Sequence, residues 1–359
     1  MKLFECQNCG QRLYFENTLC ERCGHLLGYL AEQVTLSALT RAGGETWRAL
    51  AMPGECFRFC ANAAHNACNW LVPAASKNVF CRACELNRTI PDLDSPRNRL
   101  LWRRLESAKH NLVYGLIRFR LPLSSRFSDP ERGLAFDFLA GPDDSFQAQS
   151  QVSTGHAAGV ITIDIAEADP AERERNRQDM LEPYRTLLGH FRHEIGHYYW
   201  ERLVHDEARH RAFRAVFGDE RQDYVKALDS HYRNGPRLNW QEQYVSCYAG
   251  AHPWEDFAES WAHYMHIVDT LETAASFGVR VRATAGRHPV LEMEIDFDPY
   301  EGRDFDALMA AWYPLTYAVN SLNQSMGQPD LYPFVLAPAA VGKLRFVHRL
   351  IHGLCGTGE

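Results

Sequence analysis

"LLGHFRHEIGHYYWERLV", residues 187–204, sets His193, Glu194 and His197 in the order His-Glu-x-x-His. Residues i and i+4 of a helix share one face, about one turn apart. Both imidazoles can therefore reach one ion while Glu194 stands beside a vacant coordination position. The longer run "EPYRTLLGHFRHEIGHYYWERLV", residues 182–204, supports a helix, because Leu187, Leu188, Phe191, Ile195, Tyr198, Tyr199 and Leu203 form overlapping apolar stripes. The motif alone is short, and a helix rich in His and Glu can carry it by chance. The reading depends on a third ligand.

A catalytic zinc takes three protein ligands and keeps a fourth position open. One arrangement puts a third histidine six residues after the second, with glycine at the third. Those positions hold Leu203 and Trp200, so it is excluded. Another takes a glutamate from a later helix, with a further acid one turn on that fixes a ligand imidazole. "YAGAHPWEDFAESWAHYMHIVDTLETA", residues 248–274, has this form: Glu255 and Glu259 are i and i+4 among Trp254, Phe257, Ala258, Trp261 and Ala262, and Pro253 suits a first helical turn. Two carboxylates on an aromatic and small-residue face are poor core groups unless paired or metal-bound. His190, His252, His263 and His266 are read as surface or hydrogen-bonded histidines rather than ligands.

Composition bounds the rest. The 359 residues are 46% hydrophobic and 23% charged, an ordinary globular balance long enough for about two domains. Neither a membrane span nor a signal peptide is apparent, and the chain reads as cytoplasmic. The net charge of -7 argues against a general nucleic-acid or acidic-membrane binder. Of eleven cysteines, nine fall at or before Cys84, which marks the first 95 residues as a separate unit whose thiols are free to bind metal.

In "CQNCGQRLYFENTLCERCG" the pairs Cys6/Cys9 and Cys20/Cys23 are each C-x2-C, followed by Gly10 and Gly24, which permit a left-handed step. With "RLYFEN" as a strand between them, this is the pattern of a zinc ribbon. Four thiolates close the shell, so the role is structural. Cys60, Cys68, Cys81 and Cys84 form a second four-cysteine set, with Cys56 and His65 near enough to compete for a place. One or two structural ions are expected beside the catalytic one. Residues 1–95 carry nine Lys/Arg and nine Asp/Glu, a balance that favours scaffolding or protein contact over phosphate binding.

Pro91 and Pro96 punctuate a linker, and residues 96–132 read as its helical part, marked by Leu100, Leu101, Leu105, Leu112 and Leu116. Nine basic against three acidic residues in 97–132 make it a basic strip, read as a solvated face. Two strands follow, in "GLAFDFLAG" and in "GVITIDIAEAD", where Ile161, Ile163 and Ile165 alternate; the second is a candidate edge for pairing an extended substrate. Helices dominate beyond it. The fold class is α+β: a zinc-ribbon domain (1–95), a basic helical linker (96–132) and a mainly helical zincin-like domain with a small sheet (133–359).

These segments together resemble bacterial zinc-binding metallopeptidases that carry an N-terminal zinc-ribbon domain, of the wider gluzincin type. The resemblance implies zinc on His193, His197 and Glu255, Glu194 as general base, Glu259 as support to a ligand, and, through a Tyr-x6-Glu pattern, Tyr248 as an oxyanion donor. It implies a peptide or protein substrate. A nucleic-acid-associated protease and a non-catalytic, zinc-stabilised binding module are the competing readings, and retention of Glu194 counts against the latter.

Overall fold

The computed structural model describes residues 1–141, 155–179, 186–284, 291–302 and 304–353. Residues 182–185 of the long helical stretch, the Ser/Gln-rich loop at 142–154 and Cys355 lie outside them. The chain divides into two compact units, Met1–Gln178 and Asp179–Glu359.

The first unit begins with a hairpin of β1 (Phe4–Glu5) and β2 (Arg12–Leu13). Five antiparallel strands follow in sheet order: β3 (Leu27–Leu30), β4 (Thr35–Gly43), β5 (Thr46–Ala49), β6 (Cys56–Phe59) and β7 (Leu71–Pro73). Tyr29 bridges to Trp70, so the first and last strands meet and the sheet curls on itself. Gly28 makes this approach feasible, since a Cβ there would lie 2.6 Å from the Leu71 side chain. Phe15, Tyr29, Trp70 and Tyr114 fill the interior in edge-to-face and tilted contacts.

Next come β8 (Asn87–Thr89) and α1 (Pro96–Arg118). Pro96, read from sequence as linker punctuation, opens the helix: Ser95 caps it and proline takes its first turn. Tyr114 on α1 packs against Phe15, so the apolar face of this helix is bound to the ribbon core. The second sheet has the order β10-β11-β9-β8, with β9 (Ala135–Leu139), β10 (Gly155–Ala157) and β11 (Val160–Asp164). Ile161 and Ile163 are wholly buried while their neighbours are half-exposed, the period of two that sequence showed. β11 pairs with β10 on one side and β9 on the other, so it cannot itself accept an extended substrate; among the described residues the edges of this sheet are β10 and β8. α2 (Pro170–Asp179) follows.

The second unit is helical: α3 (Leu187–Leu203), α4 (Glu207–Phe217), α5 (Tyr224–Asn234), α6 (Pro253–Ser276), α7 (Phe305–Ser325) and α8 (Pro338–Ile351), with a short hairpin of β12 (Val281–Arg282) and β13 (Glu292–Met293). Its axis is the pair α3 and α6. Tyr199 stacks on Trp261 with ring centroids 5.2 Å apart, and buried Arg192 ties α3 to Asp269 (2.5 Å) and to His266 Nδ1 (2.6 Å). Gly196 lets the two backbones approach, since a Cβ there would stand 3.0 Å from Ala258 Cα. Among the described residues no helix is long and apolar enough to cross a membrane.

Candidate functional site

Helix α3 starts where Thr186 accepts a hydrogen bond from Gly189 N–H at 2.9 Å, and helix α6 where His252 Nδ1 accepts from Trp254 N–H at 3.1 Å. These caps fix the phase of each helix. His193, Glu194 and His197 are buried on α3, and Glu255 lies in the first turn of α6, 1% exposed. The helix that carries the motif thus turns its polar groups inward, and they meet one another there.

His193, His197 and Glu255 each offer an atom within 4.8 Å of the others. His193 Nε2 is 3.1 Å from Glu255 Oε2, and His197 Nε2 is 3.5 Å from Glu255 Oε1. Zinc bonds of about 2.0–2.1 Å in a tetrahedral shell give a ligand-to-ligand edge of about 3.3 Å, which these separations bracket. His193 Nδ1 donates to Glu259 Oε1 at 2.7 Å, so in the neutral ring Nε2 carries a lone pair that faces a carboxylate oxygen. Two buried acceptors at 3.1 Å repel unless a cation lies between them. Burial opposes a charged imidazole at His193, yet Glu255 and Glu259 hold its pKa well above the usual value, which expresses the same demand for positive charge. The donor set of two imidazoles and one carboxylate, with an acid behind one imidazole, fits zinc.

The surrounding groups complete the geometry. Ser246 Oγ donates to Glu259 Oε2 at 2.6 Å, so both carboxylate oxygens are engaged. Burial raises the Glu259 pKa, but His193 dominates and brings it down to about 2. Glu194 Oε1 is 3.2 Å from His190 Nε2. Burial again acts upward, while His190, His193 and His197 together hold Glu194 below the ordinary carboxylate range. The Tyr248 ring centroid lies 5.9 Å from that of His193, and burial, with the charge of Glu255, pushes its phenol well above the usual pKa.

Sequence reasoning missed three neighbours. Tyr224 on α5 donates to Glu255 Oε1 at 2.7 Å, Ser246 holds Glu259, and the Trp254 ring sits 4.2 Å from the His197 ring, centroid to centroid. Tyr224 is 31 residues from its partner and no local pattern marks it. Trp254 reads from the sequence only as an apolar flank of Glu255. His252 and His263 are held by the Gln222 carbonyl and the Tyr332 hydroxyl.

In the first unit, Cys6, Cys9, Cys20 and Cys23 form one group and Cys60, Cys68, Cys81 and Cys84 another. The pairs Cys6–Cys23, Cys9–Cys20 and Cys68–Cys81 have Sγ–Sγ distances of 3.7, 3.6 and 3.6 Å. A disulfide needs about 2.05 Å, whereas a zinc tetrahedron with bonds of about 2.3 Å has edges of about 3.8 Å. Gly10 and Gly24 both take φ +72°, the left-handed step that lets each backbone fold back over its knuckle. Cys56 is exposed on β6 and His65 stands against Trp102; neither belongs to the second group.

Comparison with known proteins agrees with this chemistry. Residues 98–350 match a family model described as "Putative zinc-binding metallo-peptidase", and residues 3–95 match a zinc-ribbon domain model. Uncharacterized proteins of Mycobacterium bovis and of two strains of Mycobacterium tuberculosis are 41% identical over 352 residues, an alignment covering 98% of this chain and 95% of each of theirs. No solved structure matches it.

Proposed function

Because the chain belongs to the "Putative zinc-binding metallo-peptidase" family and carries a zinc-ribbon domain, we propose that it hydrolyses peptide bonds at the α3–α6 site in the manner of a gluzincin. His193, His197 and Glu255 hold the catalytic zinc. The observation that carries this is His193 Nε2 facing Glu255 Oε2 at 3.1 Å while Nδ1 is committed to Glu259, a buried arrangement that calls for a cation. The two four-cysteine groups hold structural zinc, and so many free thiols suit a reducing, cytoplasmic setting.

Zinc at this site supplies Lewis acidity, bringing the pKa of water to about 7 and drawing charge from a carbonyl oxygen. The remaining work falls to side chains. Glu194, ionised at neutral pH, accepts the proton of the attacking water and passes it to the departing amine. His190 orients the Glu194 carboxylate from one turn away. Tyr248, which keeps its proton, donates to the oxygen where negative charge develops. Glu259 fixes the ring of His193, and Tyr224 engages one oxygen of Glu255.

The test is Glu194→Gln, which keeps volume and much of the hydrogen bonding but cannot take the proton. Zinc content and melting temperature should be unchanged, and cleavage of a peptide first shown to be a wild-type substrate should fall by at least ~10²-fold. Tyr248→Phe should give a smaller loss. Full turnover in zinc-loaded Glu194→Gln would remove the general-base assignment, and a wild type inert on a broad peptide library would favour the binding-module reading.

A further inference from the structure

Behind the second cysteine group lies a set of buried ionisable side chains that the peptidase reading does not use. All come from one face of α1: Glu106 and Lys109 are 0% exposed and His110 5%. His110 Nδ1 donates to the Glu106 backbone oxygen at 2.6 Å, and its Nε2 lies 3.2 Å from Cys68 Sγ and 3.7 Å from Cys84 Sγ. Glu106 Oε2 is 3.5 Å from Cys84 Sγ, and Glu106 Oε1 accepts from Lys109 Nζ and Asn87 Nδ2, both at 2.8 Å. Cys84, Glu106 and His110 could in principle hold an ion of their own.

Three features argue against that and against His110 as a direct ligand. Four sulfurs already stand together, and zinc closes its shell at four. The Lys109 ammonium, bonded to Glu106, occupies the carboxylate a second cation would need. His110 Nδ1 is committed to the Glu106 carbonyl oxygen, and where zinc holds Cys68 as a thiolate the 3.2 Å contact from Nε2 is the place of a donor N–H rather than of a ligand. Backbone N–H groups of Trp70 and Cys81 reach Cys68 Sγ and Cys60 Sγ at 3.3 Å in the same supporting role. Zinc with four thiolates is a dianion, and in a buried place it needs such donors around it.

Resting on the reading that these four cysteines hold zinc, we propose that the second centre extends beyond the ribbon: His110 donates Nε2–H to the Cys68 thiolate from outside the coordination shell, and Glu106 and Lys109 fix that ring. The metal thereby clasps α1 to the ribbon strands. His110 is a positioning residue for a thiolate, and its loss acts on metal retention.

The experiment uses the full chain: wild type, His110→Ala, and His110→Gln, which restores an N–H donor. Zinc content is measured by metal analysis, and release by transfer to a coloured chelator over time. The protonation of the His110 ring is read from long-range nitrogen–proton spectra of zinc-loaded wild type, assigned by difference against His110→Gln. The expected result is an unchanged zinc count, a protonated Nε2, release of one ion about 10–100-fold faster in His110→Ala, and partial recovery in His110→Gln. A metal-shifted Nε2, the loss of a whole ion in His110→Ala, or unchanged release would each overturn the proposal. Wild-type protein without cysteine-bound zinc would overturn the underlying reading as well, and would be seen before any variant is made.

Discussion

Replacing Gly196 by alanine tests whether the spacing of α3 and α6 sets metal affinity. The new Cβ would meet Ala258 Cα at 3.0 Å, Trp261 Cβ at 3.2 Å and Trp261 Cγ at 3.3 Å. Carbon atoms attract best at about 3.5–4.0 Å, and a backbone Cα cannot swing aside, so the helices must part by roughly 0.5 Å. Gly196 sits between His193 and His197, and Ala258 between Glu255 and Glu259, so the displacement falls on the site itself. The His193–Glu255 and His197–Glu255 separations, now 3.1 and 3.5 Å, would open toward about 3.6 and 4.0 Å, past the edge of about 3.3 Å that a tetrahedral zinc shell requires. For the fold, overpacking costs about 1–3 kcal/mol while alanine's helix preference offsets up to about 1 kcal/mol, a net loss of about 0–2 kcal/mol. For the metal, we expect affinity at the histidine site to fall about 10–100-fold, the range seen when a ligand's support is disturbed. The assay is competition with a chelator while the thiolate centres stay loaded, beside thermal unfolding. Gly342 on α8 is the control: a Cβ there meets nothing within 4 Å, so Gly342→Ala should stabilise by about 0.5–1 kcal/mol and leave zinc alone. A folded Gly196→Ala protein with wild-type zinc affinity would refute the reasoning.

Three further outcomes are expected. Glu255→Ala should strip the histidine site of zinc, whereas Glu259→Ala should weaken it by ~10 to 100-fold and leave it bindable; metal analysis decides, and the reverse order would make Glu259 the ligand. Tyr224→Phe removes the donor to Glu255 Oε1 and should destabilise the zinc-free protein by about 1.5–3 kcal/mol, read by denaturant unfolding. Asp256 is buried against Lys343, 2.6 Å away, and burial pushes its pKa from 3.8 up to about 7. The folded state therefore holds this proton more tightly than the unfolded chain, and stability falls as pH rises through that window. Asp256→Asn should gain on the wild type across it by an amount of order 4 kcal/mol, and a constant difference in unfolding free energy would count against the shift.

What could be read from the sequence was what repeats at short range. The i, i+4 pairs His193/His197 and Glu255/Glu259 sit on helices whose apolar residues show the right period, and the C-x2-C pairs carry their own glycines, so spacing alone was enough to bring those groups to notice. The neighbours that complete each centre come from far along the chain. Tyr224 meets Glu255 and Ser246 meets Glu259 only because the chain between α3 and α6 folds back, and His110 meets Cys68 across 42 residues. The basic strip was legible only in part, for a related reason. Charge counting treats Lys109 and the arginines alike, whereas Lys109 is enclosed with Glu106 behind the second cysteine group. β11 looked like an edge because alternation reports which face is buried and says nothing about which strands stand on either side.

Helix α5 has no fully buried side chain, yet it presents Tyr224 to Glu255 and His231 to Tyr248. A segment with so little invested in the core tolerates exchange at its exposed positions. Those positions are the natural place to randomise or exchange with a relative. The histidines and glutamates on α3 and α6 would stay as they are, and on α5 Tyr224 and His231 would be kept.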